Sequence, residues 1–284
     1  MDHSAPDSID AAGHKRPTLP VLPPGLPRLM SSLADDQIEP PLLAKVLEQY
    51  PSIAVRLVAL ANSAWVAPRD PVTSISAACS VLGLRVVRSV SLALAVARPF
   101  NATRCPAFDA KRFWATALLA AEGTALLAPQ LADACDPHTL RTAGLLHHLG
   151  LLWMVDAWPA EAAAAVGAAE ASAEPDLCAA QRAVCGTDYC ELGGVLGAAW
   201  RLPAELTAAM RQHRAADYRG PHRQTAEVVG FAAALANAVW LNADVTTAEW
   251  HAPPGWLPSR TAQAAISQML GERETILALA QSLF

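Results

Sequence analysis

Charged residues are scarce in this chain. Asp, Glu, Lys and Arg make up 17% of its 284 residues, against 53% hydrophobic ones. That balance excludes disorder along the whole length, because there is ample apolar surface to bury. Aromatic residues amount to 6%, β-branched residues are few beside Ala and Leu, and alternating apolar and polar positions are rare. A sheet-based fold is thereby excluded and an all-α fold expected. An excess of positive charge is also missing: the net charge is -5 and no long Lys/Arg run occurs, so no nucleic-acid partner is expected. No apolar run reaches the roughly 18 uncharged residues of a membrane span. The N-terminus MDHSAPDSID has neither the positive nor the apolar region of a signal peptide. These absences predict a cytoplasmic protein with no membrane insertion. There is no C-x-x-C pair either, so the six cysteines (Cys79, Cys105, Cys135, Cys178, Cys185 and Cys190) read as small core residues or free thiols in a reducing compartment.

What the chain does have is a succession of helical signals. Residues 1–16 are small, polar and charged and are expected to form a mobile tail. Five prolines within 17–27 predict an extended segment laying its leucines across a surface. Pro40-Pro41 opens a helix that Pro51 ends, Ser52 is a candidate N-cap for a helix over 53–61, and Asn62-Ser63 stops it. Ser74 caps a further helix, which Gly83 is expected to end in the left-handed conformation before another begins at Leu84. Asp109 caps an amphipathic helix carrying Phe113 and Trp114. Further helices are expected over 160–171, 177–185, 191–200, 204–213, 225–240 and, as one or two pieces, 261–283, with a loop at 251–258.

One stretch, 143–153, is apolar around nearly every angle of a helical wheel, as expected for a helix surrounded by other helices. It carries two adjacent imidazoles, His147 and His148. Burying them costs a few kcal/mol unless they hydrogen-bond, bind something or line a cleft.

Several segments, in this order, carry a family resemblance: Leu19-Pro20, LANSAW at 60–65, SISAACSVLGLRVVRSV at 74–90, FDAKRFW at 108–114, AGLLHHLG at 143–150, GTDYCELGGVL at 186–196 with Trp200, and LPAEL at 202–206. Together they resemble the HDOD family, output-type modules related to the metal-dependent HD phosphohydrolases and the HD-GYP cyclic-dinucleotide phosphodiesterases. The resemblance covers about residues 17–240. It implies an all-α multi-helix bundle with an HD-domain-like core and an N-terminal helical subdomain. The corresponding division is a tail at 1–16, an N-terminal helical half at 17–106, an HD-like half at 107–240 and a C-terminal helical extension at 241–284.

In the catalytic relatives a His-Asp doublet, with His and Asp residues from neighbouring helices, holds divalent metals that activate water against a phosphate ester. The aspartate is anionic and can bridge two cations; a neutral imidazole cannot. Here the doublet is His147-His148. Thr116 (after Ala115) follows the Phe-Trp pair where relatives place a histidine, and Tyr189 takes another histidine position, beside Asp188 and Glu191. His147, His148, Thr116, Asp188, Tyr189, Glu191 and His213 then line a vestigial cleft, with no catalytic residue, no complete metal site and no cofactor. Cys185 and Cys190, five residues apart across a Gly-Thr-Asp turn, could bind a metal together with a histidine, but no second cysteine pair at metal-ligand spacing accompanies them. Arg211, Arg214, Arg219 and Arg223 concentrate positive charge that can meet an anion or an acidic partner, or simply be a solvated helix end.

The expected function is a non-enzymatic signalling module acting through protein-protein contacts. Because HDOD modules are often attached to response-regulator receiver or diguanylate-cyclase domains, the resemblance implies such signalling proteins as partners in trans. The alternatives are a metal-dependent phosphohydrolase of a nucleotide or cyclic dinucleotide, or a nucleotide sensor that does not hydrolyse its ligand.

Overall fold

The computed structural model describes residues 17–22, 25–35, 37–63, 66–130, 136–172, 176–241 and 257–283. The expected tail at 1–16, Trp65 of the LANSAW segment, Cys135 and most of the 251–258 loop lie outside the described residues. Among the described residues every regular element is helical: α1 (Leu26–Ala34), α2 (Pro40–Leu47), α3 (Pro51–Ala61), α4 (Ile75–Ala97), α5 (Ala110–Leu127), α6 (Pro137–Leu146), α7 (Leu149–Ala157), α8 (Pro159–Glu170), α9 (Leu177–Cys185), α10 (Tyr189–Ala199), α11 (Ala204–Gln212), α12 (Arg223–Trp240) and α13 (Ser259–Leu283).

Local chemistry explains most of the starts. Ser74, Asp109, Asp136, Asp176 and Asp188 each precede a helix, and the side chain of each accepts a bond from a first-turn backbone N–H, satisfying donors the helix cannot satisfy itself. Ser52 does not do this. Pro51 is already the first residue of α3, with Tyr50 before it and no side-chain cap, because a proline fits the first helical position, where its missing N–H costs nothing. Asn62 stops α3 as expected and does more: its amide donates to the carbonyls of Val58 and Val72, and its Oδ1 accepts from the N–H of Val72 at 2.8 Å. The loop into α4 is thereby clamped to the end of α3. At Gly83 the backbone has φ 76° and ψ 153°, a positive-φ geometry outside the left-handed helical well and one that glycine adopts readily. The helix therefore breaks and resumes at once instead of ending in a left-handed cap.

The helices form one bundle around α5, which packs against α6, α12 and α13. Helices α1 to α3 gather on α4, α7 lies on α10, α8 on α9, and α11 between α10 and α12. Leu119, Leu146, Leu149 and Met154 are completely buried at the centre. Of the described helices, α4 is long and apolar enough by composition to cross a membrane, but more than half of its apolar stretch is buried inside this bundle and it carries Arg85 and Arg88. The opening segment 17–22 is non-helical. Leu22 packs against the core while Leu19 and Val21 are exposed, and the backbone of the segment is held as well. Trp153 Nε1 donates to the Thr18 carbonyl at 3.2 Å and Trp200 Nε1 to the Pro20 carbonyl at 2.9 Å.

The expected single helix through 143–153 is two. Helix α6 ends at Leu146, α7 begins at Leu149, and His147-His148 form the turn between them. Immediately after the turn α7 meets α10 backbone to backbone. A Cβ added at Gly150 would lie 2.1 Å from the carbonyl oxygen of Tyr189 and 2.5 Å from the N of Gly193. Neither atom belongs to a flexible side chain, so Gly150→Ala must push two helices apart. We expect about 3 kcal/mol or more of destabilisation in urea unfolding, as for overpacking at its severe end. Gly167→Ala, in open space on α8, is expected to stabilise by about 0.5–1 kcal/mol. Equal effects of the two substitutions would contradict this account of the α7–α10 crossing.

Candidate functional site

The break between α6 and α7 places its two histidines against α5 and the end of α11. His148 is stacked on His147 with ring centroids 4.0 Å apart and on Phe113 of α5 at 4.0 Å, the planes tilted by 7° and 9°. His213, following α11, meets His147 edge-on at 5.0 Å, and Tyr189 of α10 reaches His213 with its hydroxyl 3.2 Å from Nε2. Thr116, one turn along α5, completes the group. The three histidines are 3%, 9% and 7% exposed in chain order, so this is a packed cluster of rings and not an open cleft.

Each tautomer follows from its neighbours, because a carbonyl can only accept. His147 Nδ1 lies 2.6 Å from the Gly144 carbonyl and His213 Nδ1 lies 2.9 Å from that of Ala209; both therefore carry their proton on Nδ1 and a lone pair on Nε2. His148 is the reverse. Its Nε2 donates to the Phe113 carbonyl at 3.1 Å, with Thr116 Oγ1 at 3.4 Å, and its Nδ1 is buried without a partner. Burial keeps all three rings neutral: it pushes His147 down to about 4 and holds His148 and His213 well below their usual range, since an imidazolium here would lose its hydration.

The acidic residues do not join this cluster. The Asp188 Oδ1 accepts from the N–H groups of Cys190 and Glu191, and its Oδ2 is ion-paired with Arg182; it is the N-cap of α10. Glu191 is exposed and accepts from Thr187 Oγ1 at 2.6 Å. Among the described residues, the hydrogen-bond partners of the three imidazoles are carbonyls, hydroxyls and one thiol. Thr116, at the place of a metal-binding histidine in the relatives, turns its hydroxyl back to the Arg112 carbonyl at 2.8 Å.

The arginines do not converge. Arg214 pairs with Asp176 at 3.3 Å, Arg223 with Glu227 one turn on at 3.6 Å, and Arg219 donates to the carbonyls of Ala216 and Tyr218, while Arg211 lies along Gly194. A cavity of about 540 Å³ opens elsewhere, between Met30, Arg88, His138, Leu145, Trp200 and Leu206, and none of the three imidazoles lines it.

Sequence reasoning passed over one neighbour of the ring cluster. Cys190 does not face Cys185 across the turn; it faces Cys178, with the sulfurs 3.9 Å apart. The spacing of twelve residues, across the end of α9 and the cap of α10, gives no pattern readable along the chain.

The HDOD domain family matches residues 19–216, which spans the N-terminal strap, the helix break and the turn that carries His213. The chain belongs to the HDOD family. Its fold is shared by solved structures at low identity. A signal transduction protein from Marinobacter aquaeolei VT8 superposes with a TM-score of 0.77 at 23% identity, covering 93% of this chain and 60% of that one. The chain thus spans under two thirds of that protein's length. A Shewanella amazonensis SB2B protein bearing a phosphohydrolase name gives 0.69 at 22% identity, covering 94% and 95%. An HDOD domain protein from Geobacter sulfurreducens gives 0.65 at 22%, covering 94% and 93%. No curated protein matches the chain. The HDOD assignment places it in a family related to the HD phosphohydrolases and often non-catalytic.

The neutral rings make stability depend on pH. In the unfolded chain the histidines take up protons below about pH 6.5, whereas folded His147 does so only near 4. Between those values the unfolded state binds more protons, so stability is full above about pH 6.5 and falls as the pH is lowered towards 4. His147 alone contributes roughly 3 kcal/mol to that loss. We expect the urea midpoint to fall steadily over this range, and less steeply in His147→Gln. A flat midpoint from pH 7 to 4.5 would rule out a buried neutral cluster.

Proposed function

We propose that this HDOD module is a non-enzymatic regulator that acts through contacts with signalling proteins. The observation that carries this reading is His148. In the place where the hydrolytic relatives carry an aspartate, its ring is stacked between His147 and Phe113 and its Nε2–H is committed to the Phe113 carbonyl. Bridging two metals requires an anionic oxygen pair at that point, and a ring held in this way presents a single buried nitrogen. The capping of α10 by Asp188 and the exposure of Glu191 support the same reading, because neither carboxylate is bonded to the His147-His148 doublet.

The partners consistent with the family are proteins bearing receiver or diguanylate-cyclase domains, bound in trans. A signalling role also fits the name of the Marinobacter protein that shares the fold. The purified chain, incubated with manganese and either bis(p-nitrophenyl) phosphate or cyclic dinucleotides, is expected to show no hydrolysis above buffer. Turnover that disappears in His147→Ala would overturn the proposal in favour of a phosphohydrolase. Calorimetry with nucleotides is expected to show no binding up to about millimolar concentration; saturable heats would favour a sensor. Affinity capture from the native host, followed by reconstitution from purified components, is expected to yield a one-to-one complex with a receiver- or cyclase-bearing protein.

A further inference from the structure

Next to the ring cluster, four residues from three helices bring soft and neutral donor atoms together. Cys178 lies in the first turn of α9, Asp188 caps α10, Cys190 is in its first turn, and His213 follows α11. All four are buried. One donor atom each from Cys178, Asp188 and Cys190 lie within 4.8 Å of one another, and His213 Nε2 is 3.9 Å from the Cys190 sulfur. We propose that Cys178, Cys190 and Asp188 form a zinc site that fastens α9 to α10, with His213 beside Cys190 placed to close it by exchanging its bond with the Tyr189 hydroxyl for the metal.

Three independent features point to a metal ion. The first is spacing. Two thiolates at a zinc–sulfur distance of about 2.3 Å subtend a tetrahedral edge of about 3.8 Å, and the sulfurs here are 3.9 Å apart. The second is the orientation of His213. Its Nδ1–H is fixed by the Ala209 carbonyl at 2.9 Å, which makes Nε2 an acceptor, met here by the Tyr189 hydroxyl at 3.2 Å with the Cys190 sulfur 3.9 Å away. A backbone carbonyl holding the far ring nitrogen is the usual support of a metal-bound histidine. The third is charge. Two thiolates and a carboxylate around a divalent ion leave one net negative charge, and two guanidinium groups stand at the margin, Arg182 on Asp188 and Arg214 on Asp176. Metal binding deprotonates both thiols and releases their protons to solvent.

Sulfur ligands select zinc over magnesium, calcium or manganese. With His213 turned in as the fourth donor the ion would have no open position, so the site is structural and not hydrolytic. It is separate from the His147-His148 doublet and goes beyond the regulatory reading: either could fail without the other.

The test uses the full chain, free of any histidine tag and purified under reduction without chelators. Elemental analysis is expected to find about one equivalent of zinc, and stripping the ion to lower Tm by on the order of 5–10 °C. Cobalt added to the stripped protein is expected to give thiolate-to-metal charge-transfer absorption and the intense visible bands of a tetrahedral site. Cys178→Ser and Cys190→Ser should weaken binding by about tenfold or more, whereas Cys79→Ser, far from the cluster, should leave it unchanged. Should either ligand variant fail to fold, protection of the wild-type thiols from an alkylating reagent by zinc, and its loss with a chelator, decides the matter. Absence of zinc together with no cobalt–thiolate absorption in the wild-type protein overturns the proposal. So does a Cys178–Cys190 disulfide recovered under the reducing conditions, which would make the pair a redox couple instead.

Discussion

A neutral imidazole can be buried where a charged one cannot, and the centre of this bundle is built on that difference. Three histidines meet at the junction of α6, α7 and α11, each anchored through one ring nitrogen to a backbone carbonyl. The carbonyls belong to different helices: Gly144 in α6, Phe113 in α5 and Ala209 in α11. Each anchor fixes the tautomer of a ring, and that of His148, which reaches Phe113 from the far side of the break, also ties the α6–α7 turn to α5. The stack of Phe113, His148 and His147 fills the space left by the break between α6 and α7, and the apolar residues before and after the break complete the surround.

The same junction is continued by contacts between backbones. Immediately beyond the histidines, Gly150 brings the backbone of α7 against that of α10. Trp153 and Trp200, on these two helices and the turn that follows, then grip the backbone of the N-terminal strap. The strap is thus fastened by indole N–H groups to carbonyls, with its Leu19 and Val21 left at the surface. Exposed apolar residues on a backbone-anchored segment are compatible with a module whose work is contact with other proteins, although scattered exposed leucines and valines are ordinary on any surface.

Much of this was legible along the chain. The scarcity of charge and of strand-like alternation pointed to helices. Ser74, Asp109 and Asp188 announced helix starts or turns, because capping is a local matter between a side chain and the next three residues. The ordered segments from Leu19-Pro20 to LPAEL carried the family, and the absence of an aspartate after His147 carried the reading of the site. What failed were inferences for which the helical period and the residue type were insufficient. The apolar wheel of 143–153 could not reveal a turn in its middle, since buried positions on two joined helices look like buried positions on one. Gly83 was readable as a special backbone position, but its ψ of 153° and the immediate resumption of the helix were not.

By itself the sequence determined the helical class, the caps at Ser74 and Asp109, the family and the chemical character of the doublet, because each depends on residue type and on neighbours a few positions away. The tertiary structure alone decided which groups face one another. It sent Glu191 to the surface, committed Asp188 to the start of α10, dispersed the four arginines among local partners and set Cys178 against Cys190. These outcomes depend on how α9, α10 and α11 are oriented about one another, and that orientation is fixed by backbone contacts and ring stacking between residues far apart in the chain.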